Sequence, residues 1–181
     1  MERHLLVFWP RAIEKHSDIV EDFICNSTVV SKLDLYCDSY SDMLSLMKSL
    51  YGEKIISPRF KTLGVGLGII RILIINVPSK YEMLSNQSGL VANVNLVMHR
   101  DKTMLRALFC DNYVHATTDK SEAADDSFLF FHKEIDDIEI GSSNRLDFSE
   151  WKRNERDWFE VYNGLKKECK GMSILSVRNQ C

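Results

Sequence analysis

The chain has 181 residues, of which 45% are hydrophobic and 27% charged, and a formal net charge of −3. That length suits one domain with an appendage, and the balance is that of a folded chain rather than a disordered one. The slight acidity excludes the broad basic field that nucleic acid demands, so no nucleic-acid partner is expected.

The opening MERHLLVFWP starts charged and has neither an apolar core of leader length nor a small-residue cleavage site. It reads as a first strand, HLLVFW, stopped at Pro10, rather than as a secretory leader. Ile19, Val20 and Phe23 predict a helix over EKHSDIVEDFIC. SKLDLYC alternates, with Leu33, Leu35 and Cys37 on one side, and predicts a strand. Met43, Leu44, Met47 and Leu50 predict a helix over SDMLSLMKSLYG, with Ser41 as its cap. LGVGLG lacks the spacing of a phosphate loop and precedes the strongest strand instead of following it, so it reads as a turn. IIRILIINVP is then a buried strand rich in β-branched residues. The apolar run from Leu63 to Pro78 holds Arg71 and three glycines, too broken to span a bilayer, and no membrane partner is expected.

SKYEMLS reads as a short helix, and MLRALF as helix or strand, since periodicity does not decide between them. SEAADDSFLFF predicts a helix with Ala123, Phe128 and Phe131 inward. Helices alternating with strands predict a layered sheet with helices packed on it. Past about Asp137 the character changes. IEIGSSNR reads as a loop. LDFSEWKRNERDWFEVYNGLKKECKG reads as a long amphipathic helix carrying Trp151, Trp158, Phe159, Tyr162 and Leu165 on one stripe, with Gly171 beyond its end. That stripe suits packing on this domain or on a sister subunit. The expected division is therefore a domain over 1–136 and an extension over 137–181. The five cysteines, Cys25, Cys37, Cys110, Cys169 and Cys181, are odd in number and form no CxxC. They predict neither a disulfide framework nor a zinc site, and a reducing cytoplasmic setting.

The segment DNYVHATTDKSEAADD sets His115 at the mouth of an acid-bearing helix. His115, Asp119 and Glu122 have a spacing that a cation could use, but no second histidine lies at helical distance, so no metal site is assigned. As a nucleophile, a neutral imidazole needs one ring nitrogen open and the other held by an acceptor that fixes the tautomer. Asp126, eleven residues on, could fold back as that holder.

These residues resemble the active-site signature of the nucleoside diphosphate kinases, N-x-x-H-G-S-D. Here it stands as Asn112-Tyr113-Val114-His115-Ala116-Thr117-Thr118. The family's following helix ends in an aromatic-Phe-His-Pro-Glu pattern, matched without a gap by Phe130-Phe131-His132-Lys133-Glu134. In that register Asp126 stands where the family has the glutamate that orients its histidine. Upstream, Trp9-Pro10-Arg11-Ala12-Ile13-Glu14 resembles K-P-D-A-V-E, Tyr51-Gly52-Glu53-Lys54 resembles the family's Y-x-E-H, and Leu105 to Cys110 resembles I-R-G-D-F-C. The resemblance spans about Glu2 to Ile135, with insertions near 79–102.

The resemblance implies a ping-pong phosphotransferase on a ferredoxin-like four-stranded antiparallel sheet with helices on one face, assembled as a homo-oligomer. A nucleoside triphosphate, with magnesium bridging its phosphates, would phosphorylate His115, and an acceptor would collect the phosphoryl group. Asp126 would orient His115. Arg11, Tyr51, Phe60, Arg106 and Asn112 would hold the nucleotide, with Phe60 against the base. The departures fall on the phosphate clamp. The family lysine is Trp9, which cannot neutralise a phosphate, and an acid is Arg11. No arginine stands in SKYEMLSNQ where the family has one. His99, Arg100 and Lys102 are candidates to restore charge, against an ordinary solvated loop. The same fold without transfer, as a nucleotide-binding or scaffold module, is the alternative expectation.

Overall fold

The computed structural model describes residues 1–52, 57–85 and 91–152. Its first strand is β1 (Glu2–Phe8), whose Leu5, Leu6, Val7 and Phe8 are all buried. Burial of consecutive residues means that both faces of the strand are covered. Five strands line up as β6 (Val114–Ala116), β1, β3 (Gly68–Val77), β2 (Val29–Cys37) and β7 (Ser143–Asp147). The first four are antiparallel neighbours, and β7 runs parallel to β2. In the middle of the sheet Arg71 meets Asp34 across the strands through two hydrogen bonds of 2.8 and 2.9 Å, which is how β3 tolerates a charge.

The fifth strand corrects the expectation of a four-stranded sheet and of a loop over IEIGSSNR. The chain is docked onto the edge of β2 by the amide of Gly141 on the carbonyl of Val30 (2.7 Å) and that of Lys32 on Ser142 (2.9 Å). The Arg3 guanidinium gathers the carbonyls of Ile135, Asp136 and Ile138 at 2.9 to 3.0 Å. Most β7 side chains are exposed, so the strand carries no alternating apolar pattern to read. SKYEMLS is likewise a strand, β4 (Tyr81–Ser85), paired with β5 (Val91–Asn95) in a separate two-stranded sheet, not a helix. Its side chains are at most half-buried, so burial periodicity was absent there too.

Helices cover both faces, where the resemblance implies one. On one side α1 (Pro10–Lys15), α2 (Ser17–Asn26) and α5 (Leu96–Phe109) pack Ala12, Val20, Phe23, Met98, Leu105 and Phe109 onto Leu6, Phe8, Leu73 and Ile75. On the other, α3 (Tyr40–Tyr51), α4 (Pro58–Val65) and α6 (Lys120–Phe131) pack Met43, Leu46, Met47, Val65 and Phe130 onto Leu5, Val7, Leu35 and Ile72. The helix expected over EKHSDIVEDFIC is two, because His16 leaves helical geometry at φ −140°, ψ 40°. Ser39, not Ser41, caps α3 by accepting from the Asp42 amide. LGVGLG closes α4 through Gly66, whose φ of 78° needs a glycine, and leads into β3 as a turn should. In α6 the inward stripe is Ala123, Asp126, Ser127 and Phe130, one step off the expected Phe128 and Phe131.

Residues 148–152 are helical, and Phe148 and Trp151 pack into the α3 side of the core with ring centroids 4.9 Å apart. Trp158, Phe159, Tyr162, Leu165 and Gly171 lie outside the described residues. Among the described residues no helix is long and apolar enough to cross a membrane.

Candidate active site

His115 is the middle residue of β6, paired with Val7 of β1, and its side chain points to the α3–α6 side of the sheet while Val114 and Ala116 face the other. Two observations show why it sits there. The short strand is buried along its whole length, and α6 starts four residues later, capped by Asp119 on the Glu122 amide at 2.8 Å. Glu122 in turn accepts from the Thr118 amide at 2.8 Å. Both acids are thus engaged in holding the helix start. Among the described residues no group of three or more His, Cys, Asp or Glu is placed to hold a metal ion.

From the inward stripe of α6, Asp126 meets the ring: its Oδ2 lies 2.7 Å from His115 Nε2. A carboxylate only accepts, so Nε2 carries the proton and the Nδ1 lone pair is the nucleophilic one. No hydrogen bond reaches Nδ1 from the described residues. The Tyr51 ring, at the end of α3, stands edge-on to the imidazole with centroids 5.3 Å apart. Burial, then Lys102, Arg106 and Lys61, push the imidazole down to about 3 against the opposing pull of Glu122. Burial thus favours the neutral ring, the form that an attacking imidazole needs.

The cations around it arrive by two routes. β6 is an edge strand, and α5 runs beside that edge. Lys102 Nζ donates to the Ala116 carbonyl at 2.7 Å and Arg106 Nη2 to Val114 at 3.3 Å. These side chains, one helical turn apart, take the edge carbonyls that a further strand would otherwise claim. Lys61, on α4, donates to the Asn112 carbonyl at 2.7 Å and lies 6.0 Å from the centre of the Tyr51 ring. Burial first, and then the neighbouring Arg106, bring the Lys61 ammonium down to about 8. Burial likewise lowers Lys102 and Arg106. Among the described residues none of the three forms a salt bridge. Each of these half-desolvated cations donates to a backbone carbonyl, and Glu122 acts on Lys102 and Asp111 on Lys61 from beyond salt-bridge distance, so the charge beside His115 is positive and of the kind that suits an anion.

The expected site residues distribute unevenly. His115, Asp126, Tyr51 and Arg106 converge. Asn112 contributes its carbonyl, to Lys61, and its side chain is exposed. Phe60 is 78% exposed on α4, one residue before Lys61, a position no core phenylalanine occupies. Arg11 runs over Gly66, where an added Cβ would come within 3.0 Å of its Cγ, and acts on Asp111 rather than on His115. The replacement charges His99, Arg100 and Lys102 all lie in α5 and not in a solvated loop; His99 and Arg100 are exposed, whereas Lys102 is half-buried. Lys61 was missed. Its signal was present: a lysine beside Phe60 in a short capped helix that otherwise holds no acid.

No protein-family model matches the sequence, and no curated protein matches it. Among solved structures the chain is similar to a nucleoside diphosphate kinase family protein from Babesia bovis. The identity is 17% and the TM-score 0.44, over 72% of this chain and 88% of that one.

Proposed function

We propose that this chain is a diverged phosphotransferase of the nucleoside diphosphate kinase type, passing a nucleotide γ-phosphoryl group through His115. The observation that carries this is the His115 ring, held by the Asp126 carboxylate and bordered by Lys61, Lys102 and Arg106, three cations that form no salt bridge among the described residues. In the first half-reaction the Nδ1 lone pair attacks the γ-phosphorus and the bond to the β–γ bridging oxygen breaks. The nucleoside diphosphate leaves, and Asp126 steadies the positive charge on the ring through Nε2–H. In the second, an acceptor oxygen attacks the same phosphorus, the P–Nδ1 bond breaks, and its electron pair returns to Nδ1, leaving the ring neutral. The cations suit phosphate oxygens and not a bare metal ion, so magnesium would arrive with the nucleotide phosphates, where it supplies charge neutralisation.

The order β6-β1-β3-β2 supports a ferredoxin-like core to which β7 has been added. Exposed Phe60 supports a stacking contact with the base, beside the phosphate site that Lys61 marks. Assembly as a homo-oligomer and a cytoplasmic setting belong to the same reading.

The second reading, a nucleotide-binding module without transfer, is favoured by two observations. Trp9 is fully buried where the family has its clamp lysine, and His115 itself is only 3% exposed. Incubation with magnesium and γ-labelled ATP or GTP separates the two. Base-stable, acid-labile label on the wild type, absent from His115→Ala, is the expected result. Nucleotide binding without label would leave the second reading.

A further inference from the structure

α4 turns apolar residues outward. Thr62 and Val65 are buried, while Phe60 and Leu63 are 78% and 58% exposed, and Leu67, just past the helix end, is 43% exposed. No atom lies within 4 Å of where a Cβ on Gly64 would stand, so the face is open as well as apolar. Single exposed apolar residues are ordinary. A contiguous stripe of them along one helix marks a docking surface.

The chain itself carries a matching stripe. Trp158, Phe159, Tyr162 and Leu165, outside the described residues, recur at helical spacing, and Trp158 to Leu165 spans the same seven residues as Phe60 to Leu67. The place where the described chain stops points to this segment as the occupant. Lys152 Nζ donates to Asp42 Oδ1 at 3.3 Å, in the first turn of α3. Leu67 lies at that same end of the molecule, because Gly68 pairs with Cys37, three residues before α3 begins. α3 and α4 pack against each other on one face of the sheet. Trp158 is six residues past Lys152, about 9 Å along a helix, so the stripe can begin near Leu67 without a long linker. The charges agree. Arg11 crosses Gly66, between Leu63 and Leu67, and Asp157 and Glu160 flank Trp158 and Phe159. A second copy would have to compete with a segment tethered at this end, whose effective concentration is high.

We infer that residues 153–165 pack as a strap along the outer face of α4, setting Trp158, Phe159, Tyr162 and Leu165 against Leu67, Leu63 and Phe60. The strap runs antiparallel to α4, from the Leu67 end towards the site that Lys61 borders. Docking does not depend on phosphoryl transfer. The two meet only at Phe60, where a stacked base would have to lift Leu165.

The test places p-benzoylphenylalanine at Leu63 of the full chain, an exposed position that tolerates a bulky ring, and irradiates it without nucleotide. An equal mixture of 14N- and 15N-labelled chains separates cross-links within a chain from those between chains, read by mass spectrometry. The expected result is a cross-link from position 63 to residues 158–165 of the same chain. Its yield should be roughly tenfold or more lower in Tyr162→Asp, as for a charge brought unpaired into an apolar contact. No cross-link to 158–165 would overturn the inference, and so would a yield unchanged by Tyr162→Asp. Cross-links to this segment found only between chains would also overturn it and give the face to a second copy. No nucleotide enters, so none of these outcomes turns on whether His115 acquires label. A strap found in a chain that never does would uphold the inference and remove only the transfer step.

Discussion

Two buried histidines sit on opposite faces of one sheet and could hardly be used more differently. His4, on β1, has both ring nitrogens occupied: Nδ1 by Thr117 Oγ1 at 3.1 Å and Nε2 by Glu2 Oε1 at 3.1 Å. Glu2 is shared in turn with Asn95 and Ser79, which ties the β4–β5 hairpin to the main sheet. His115 has one nitrogen held by Asp126, and Lys102, Arg106 and Lys61 act on it together with Glu122. Burial alone therefore says nothing about function. A ring with both nitrogens held is a fastener, and a ring with one nitrogen held beside several cations is the nucleophile the proposed transfer needs.

The largest expected difference between the two is chemical. His115→Ala should abolish phosphohistidine, read as base-stable label, while His4→Gln should leave labelling intact and cost about 1–3 kcal/mol of stability in a denaturant titration. Label lost equally in both variants would break the comparison. Next in size are the cations. Lys102→Met or Arg106→Met should each slow labelling by about 10²–10³, the usual cost of one donor to developing charge, without unfolding the chain.

A third consequence is pH dependence. With His115 brought down to about 3, labelling should show no acid limb around the ordinary histidine value of 6.5. Lys61, brought down to about 8, loses its charge above that value. Phosphate affinity should thus be level below about 8 and fall as pH rises through it. Lys61→Arg should remove that alkaline fall, and phosphate titrations across pH decide it. The smallest effect belongs to the fastener. Desolvation pushes Glu2 up, but hydrogen bonds from Tyr81, His4, Asn95 and Ser79 bring it down to about 2. Its contribution to stability is complete above the ordinary 4.5 and is lost as pH falls towards 2, a loss that Glu2→Gln should reduce in acid-unfolding curves.

Much of the site was legible because its residues combine a strong local pattern with a chemical one. His115 and Asp126 lie on a strand and a helix whose burial was readable, even though the inward stripe of α6 was set one step off. Tyr51 and Arg106 ended or lined helices that apolar spacing marked, or left open only between helix and strand. What escaped depends on neighbours distant in sequence. Lys61 becomes special only when α4 meets the Asn112 carbonyl, fifty-one residues on. Lys102 reads as solvated until α5 lies along the open edge of β6. β4 and β7 owe their pairing to backbone partners rather than to an apolar face, so no periodicity announced them.

The most direct test is to locate the phosphate. The wild-type chain, exposed to magnesium and ATP and digested at alkaline pH, would be mapped by mass spectrometry with electron-transfer fragmentation. The account predicts one phosphohistidine, at His115, with His4 unmodified. Phosphate on His4, on another residue, or nowhere while ATP is bound would contradict it.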